Sequence, residues 1–144
     1  MRVGELPREV VDEKAYNGAV RHLRAARVLL PTFRELADPS LIPAEVATET
    51  ARLDPAEPGT ANLFRVHWFN GEDGTGTVAT PGFVVLRREL TGVEAPIAVA
   101  LGDRFPMIAA HKVLAAYGCL VPRIVTGQFD PTSQRAIWPS TGNY

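Results

Sequence analysis

Two stretches of this 144-residue chain hold side chains whose type and spacing could do chemistry. The first is centred on Lys112, one of only two lysines, the other thirteen basic residues being arginine. Its segment, Met107-Ile108-Ala109-Ala110-His111-Lys112-Val113-Leu114-Ala115-Ala116-Tyr117, is apolar on nearly every face, so a helix there is expected to be buried rather than amphipathic. An unpaired ammonium is costly in such surroundings. The lysine is therefore paired, snorkels to the surface along its aliphatic stem, or works as a neutral amine. A neutral, desolvated amine is a nucleophile of the kind that forms Schiff bases.

The second stretch is Ala136-Ile137-Trp138-Pro139-Ser140-Thr141-Gly142-Asn143-Tyr144. Apolar residues run into a Ser-Thr-Gly-Asn turn that offers hydroxyl, backbone N–H and amide donors. In an open α/β sheet the ligand crevice lies at the carboxyl ends of the strands, where such a loop would sit. A plain turn or helix cap uses the same residue types. Elsewhere the signals are weaker. Asn70 to Thr77 is glycine-rich but matches neither phosphate-loop pattern, and reads as a hairpin loop. His22, His67, His111 and Cys119 are too scattered for a metal site. Asp103 and Arg104 are candidates for a local ion pair near Lys112, and Ser133 and Ser140 lack the His and acid pattern of a nucleophilic serine.

The elements that must position these residues fall into two halves. Residues 16–30 carry Ala19, Val20, Leu23, Ala26 and Leu30 at helical spacing, with Arg21, Arg24 and Arg27 on another face. Pro31 ends or restarts that helix, Thr32 and Glu35 form a capping-box pattern for a short helix through Leu36, and Asp38-Pro39 marks a turn. Pro43 opens a further helix through Leu53, and Asp54 to Thr60 is a loop. Asn62 to Phe69 alternates as a strand does. Further on, Phe83 to Leu86 is strand or helix, and Ile97 to Leu101 a buried strand. Ala109 to Tyr117 is a helix closed by Gly118, and Ile124-Val125 and Ala136 to Trp138 are short strands. Strands alternating with a helix imply an α/β arrangement with parallel strands. The expected division is a helical segment at residues 1–76, with one strand and a glycine-rich loop, followed by an α/β core at residues 77–144.

Composition narrows the function classes. With 46% hydrophobic and 22% charged residues, a folded core is expected. A formal net charge of -1 offers no field to gather nucleic-acid phosphates, so nucleic acid is not an expected partner. The apolar runs are too short for a membrane span. One cysteine and no leader pattern predict a soluble chain in a reducing, cytoplasmic setting.

Taken in order, Thr80-Pro81, the strand Ile97 to Leu101, Asp103, Phe105-Pro106, Lys112, a helix, a strand and Ser140-Thr141-Gly142-Asn143 resemble the fold type II pyridoxal-phosphate enzymes, among them tryptophan synthase β chain, cysteine synthase, threonine synthase and cysteate synthase. The resemblance covers residues 77–144, and the 31-residue spacing from Lys112 to Asn143 fits. Ala110-His111 stands where the family has Ser-Phe, and Met107-Ile108 where it has a Thr-Gly pair. The resemblance implies that Lys112 is the internal aldimine lysine and that Asn143 hydrogen-bonds the phenolic oxygen of pyridoxal 5′-phosphate. It implies that Ser140, Thr141 and Gly142 receive the substrate carboxylate.

The implied activity is a lyase or synthase that eliminates or replaces a group at the β-carbon of an amino acid. The family's glycine-rich phosphate cup and its pyridine-nitrogen residue come after the Ser-x-Gly-Asn loop. The expectation is thus the N-terminal portion of a split, intein-interrupted or truncated enzyme, inactive alone, completed by a C-terminal partner chain and homo-oligomeric when whole. The alternative expectation is a non-catalytic subunit or interaction domain in which Lys112 is structural.

Overall fold

The structure is a computed structural model that describes residues 9–138. Its elements run α1 (Glu13–Ala25), α2 (Phe33–Ala37), a 3-10 turn (Pro39–Leu41), α3 (Ala44–Thr50), a second 3-10 segment (Ala61–Arg65), β1 (Phe83–Leu86), α4 (Arg88–Thr91), β2 (Ile97–Ala100) and α5 (Lys112–Val125). The class is mixed α/β. The chain divides into two compact units, one made of the residues up to Leu29 with those from Lys112 onward, the other of Leu30–His111.

In the first unit α1 packs against α5. Asp12 begins α1 by accepting the Ala15 N–H at 3.0 Å. The helix stops at Ala25, short of the expected Leu30, because Arg27 takes a left-handed backbone with φ 54° and the Val28 N–H turns back to the Leu23 carbonyl. Ala19 on α1 and Tyr117 and Ile124 on α5 are buried, and the Val11 N–H donates to the Thr126 carbonyl at 2.8 Å.

Helix α5 corrects three expectations at once. It starts at Lys112 rather than Ala109, passes through Gly118, and absorbs Ile124-Val125, which is helical and not a strand. Pro122 lies inside it and gives up the bond that would have reached the Gly118 carbonyl. The helix ends at a different glycine. Gly127 has φ +75°, and a Cβ there would collide with the Asp12 backbone, so both the turn and the close approach require glycine.

The second unit begins with the capping box read in the sequence. Thr32 accepts the Glu35 N–H at 3.2 Å, and the Glu35 carboxylate accepts the Thr32 N–H at 2.6 Å. Asp38 caps the next turn, and α3 follows Pro43. The core is formed by Leu36, Phe64, Val66 and Phe105. Asn62 to Phe69 is not a strand: it begins as the 3-10 segment and continues irregularly, for a reason that belongs to the site described below. Asn70 and Thr77 pair as an antiparallel bridge around the glycine-rich turn, as a hairpin loop should.

The parallel sheet expected from the sequence is not formed. β1 and β2 pair antiparallel, with Phe83 opposite Ala100 and Leu86 opposite Ile97. A parallel crossover needs about a dozen residues or more, whereas the link at residues 87–96 is shorter and holds only the one-turn α4. Residues 136–138 have no strand partner among the described residues. No helix among the described residues is long and apolar enough to cross a membrane.

Candidate functional site

Lys112 is the first residue of α5 and is half-buried, as are Val113 and Leu114 beside it, while Ala115 and Ala116 are exposed. The helix is therefore amphipathic, not buried on all sides as its composition suggested. Ala and Leu crowd both faces in sequence, but only Tyr117, Pro122 and Ile124 are fully covered. The other lysine, Lys14, is exposed on the first turn of α1.

The backbone of the second unit is strained close to its end. Met107 has φ 68° and Ala109 φ 48°, left-handed values that cost a residue with a Cβ roughly 1–2 kcal/mol. The Met107 N–H is held by the Pro55 carbonyl at 2.8 Å, and the Ile108 N–H by the Pro106 carbonyl at 2.8 Å. His111 stacks on Trp68 with ring centroids 5.7 Å apart, and Phe105 meets Trp68 edge-on at 4.9 Å. Arg104 reaches Glu72 at 3.3 Å, so the local pairing expected with Asp103 is replaced by one across the hairpin loop. Ser140, Thr141, Gly142 and Asn143 lie outside the described residues.

The densest polar arrangement lies elsewhere in the second unit and was not singled out by motif. Arg65 is only 5% exposed. Its guanidinium donates to the Leu53 carbonyl at 3.1 Å, to Asn62 Oδ1 at 2.9 Å and to the Thr50 carbonyl. These carbonyls lie at and just beyond the C-terminus of α3, where a cation complements the helix dipole. Asn62 in turn donates to the Asp54 and Glu57 carbonyls at 2.9 and 2.8 Å. Asn70 donates to the Arg65 and His67 carbonyls at 2.8 and 2.9 Å. These bonds remove the strand reading of residues 62–69, because carbonyls that a neighbouring strand would have claimed are taken by Asn70.

His67 is 2% exposed and its Nδ1 accepts the Phe69 N–H at 3.1 Å. The neutral imidazole therefore carries its proton on Nε2. Burial pushes its pKa down to about 4. Arg65 is shifted downward as well, burial again being the largest cause, while Asp54 and Asp73 act in the opposite direction. The signal in the sequence is the alternation of Arg65 and His67 with Leu63, Phe64, Val66, Trp68 and Phe69, which suits the two faces of a strand; that these polar residues, with Asn62 and Asn70, act as internal clamps shows only in the fold.

Comparison of the chain with known protein families, curated proteins and solved structures finds no match in any of the three.

Proposed function

We propose that this chain is an N-terminal portion of a fold type II pyridoxal-phosphate enzyme, a lyase or synthase acting at the β-carbon of an amino acid, and that Lys112 is its cofactor-holding lysine. The observation that supports this reading is the position of Lys112 on α5. A helix N-terminus favours anions, so a lysine at its first position gains nothing from the dipole. The residue is half-buried, whereas Lys14 is exposed. A primary amine so placed is chemically suited to the aldehyde of pyridoxal 5′-phosphate.

When bound, the cofactor supplies an electron sink for the substrate α-carbon. Lys112 Nζ would hold it, and as a free amine the same nitrogen would serve as the base for the substrate α-proton. Asn143 is assigned to the cofactor phenolic oxygen, and Ser140, Thr141 and Gly142 to the substrate carboxylate, by sequence resemblance alone. A partner chain carrying a phosphate cup and the pyridine-nitrogen residue belongs to the same proposal.

Borohydride trapping with pyridoxal 5′-phosphate, followed by peptide mass mapping, tests it. The expected result, on the chain co-expressed with that partner, is a phosphopyridoxyl adduct on Lys112 and none on the exposed Lys14. Equal labelling of the two lysines, or labelling of Lys14 alone, would leave the chain as a non-catalytic subunit or interaction domain with Lys112 structural.

A further inference from the structure

The second unit contains a solvent-open cavity of about 150 Å³ whose floor holds the polar residues Thr50, Arg65, His67 and Asn70, with the exposed Thr75 and Thr77 at its rim and Ala47 and Ala51 on its apolar side. The four floor residues are buried. No Asp or Glu lines the cavity among the described residues. Arg65 has five N–H donors. Three of them meet the Thr50, Leu53 and Asn62 oxygens, which leaves two. No carboxylate among the described residues comes within 4.0 Å of its guanidinium, although Asp54 and Asp73 act on it from farther away. His67 adds a donor, since its Nδ1 is occupied as an acceptor and Nε2 carries the proton.

The guanidinium keeps N–H groups beyond the three that meet those oxygens and no carboxylate adjoins it, so an anion entering the cavity would meet a positive charge with donors to offer. We infer that this cavity is a binding site for a small oxyanion, with Arg65 supplying the charge and His67 Nε2–H a neutral, directional donor. The planar fork of arginine matches two oxygens of one such group. The volume admits an ion of the size of acetate or inorganic phosphate. Because the residues concerned belong to the Leu30–His111 unit and Lys112 does not, the inference stands or falls independently of the proposed lyase or synthase activity.

Thermal unfolding of the chain in sodium acetate, and separately in sodium phosphate, against sodium chloride at matched ionic strength and pH tests the site. The expected result is a saturable rise in Tm of about 3 °C at roughly five times Kd for one of the two anions. A response to acetate identifies a carboxylate ligand and a response to phosphate identifies a phosphate group. Ala51→Leu fills the cavity without touching a polar group, and should abolish the rise in a variant that still unfolds cooperatively. Should that variant fail to fold, titration of the unaltered chain followed through the Arg65 Nε–H and His67 Nε2–H proton resonances gives the same reading. A Tm that is equal in all three salts, a rise that persists in folded Ala51→Leu, or side-chain resonances that stay fixed throughout the titration would overturn the inference.

Discussion

Two regions of the second unit reverse the usual placement of side chains. Between Asn62 and Asn70 the polar residues Asn62, Arg65, His67 and Asn70 are buried. On the β1–β2 ribbon the apolar residues Phe83, Val84, Val85 and Val99 are exposed, Phe83 at 53% and Val85 at 55%. The difference lies in what each side chain can satisfy. Asn62, Arg65 and Asn70 each close on two or more oxygens that the local chain leaves open, so their burial carries little of the usual polar penalty. The ribbon has only two strands, and no third layer within this unit covers its faces. Burial here follows hydrogen-bond closure more closely than it follows hydropathy.

The most severe way to break that comparison is to remove the clamp at its centre. Arg65→Ala leaves the Thr50 and Leu53 carbonyls and Asn62 Oδ1 without their donor inside the fold. The expected loss, read from urea unfolding midpoints, is about 3 kcal/mol or more, since each buried acceptor left open costs on the order of 1–3 kcal/mol. Arg65→Lys keeps the charge but loses the fork, and should recover only part of it. A loss below about 1 kcal/mol for Arg65→Ala would show that water replaces the guanidinium readily and that closure does not govern this region.

Protonation of His67 is a milder perturbation with a defined sign. The folded protein holds this imidazole neutral down to about pH 4, whereas an unfolded histidine takes up its proton near 6.5. Between those values the unfolded chain binds more protons, so its contribution to stability is complete above pH 6.5 and is lost as pH falls toward 4. The full displacement corresponds to about 3.5 kcal/mol at about 1.4 kcal/mol for each unit, of which roughly 2.5 kcal/mol should be lost by pH 4.5. Asp73 and Asp130 titrate below the ordinary carboxylate range because the hydroxyls of Thr75 and Thr132 and neighbouring N–H groups bond them, so their losses come at lower pH. Comparing unfolding of the parent and His67→Gln between pH 7 and 4.5 isolates the effect. The variant should lose the steep part of the dependence, and superimposable profiles would mean that His67 is not desolvated in solution.

What could be read in the sequence was what local chemistry decides. The Thr32–Glu35 capping box, the helix after Pro43, the hairpin loop at Asn70 to Thr77 and a strand from Ile97 each rest on two to eight neighbouring residues, and each is present, although that strand is exposed and not buried as expected; residues 83–86, open to strand or helix in the sequence, form a strand. The failures arise where partners are distant in sequence. Asn62 to Phe69 alternates as a strand does, yet Arg65 is held by carbonyls 12 and 15 residues away. Gly118 looks like a helix terminator, yet the terminating glycine is Gly127, whose neighbour is Asp12 at the far end of the chain. Strand direction failed for a third reason: alternation identifies strands, while direction depends on the length of the connection. As for the candidate site, the sequence drew attention to Lys112, and the fold places it at the head of α5. The polar cavity had no motif to announce it, since Thr50, Arg65, His67 and Asn70 are common residues that acquire meaning only from burial.

The smallest expected effect sharpens the other side of the comparison. Val84 and Val99 face each other across the ribbon and are both exposed, at 45% and 41%. Valine to threonine keeps the branched shape and strand preference while adding a hydroxyl, so the substitution measures desolvation and little else. If both positions meet water, Val84→Thr and Val99→Thr should each change stability by less than about 0.5 kcal/mol in the same urea assay. If another surface covers them, each hydroxyl must give up water without a partner, at roughly 1–3 kcal/mol. A double variant distinguishes the cases further: exposed positions should add, whereas a covered pair should couple, because the two hydroxyls could then hydrogen-bond one another across the strands. Losses above about 1.5 kcal/mol would place the ribbon's apolar face in a buried setting and end the contrast with the Arg65 cluster. Losses near zero would show that this unit tolerates polar change on its ribbon far better than change within its polar interior.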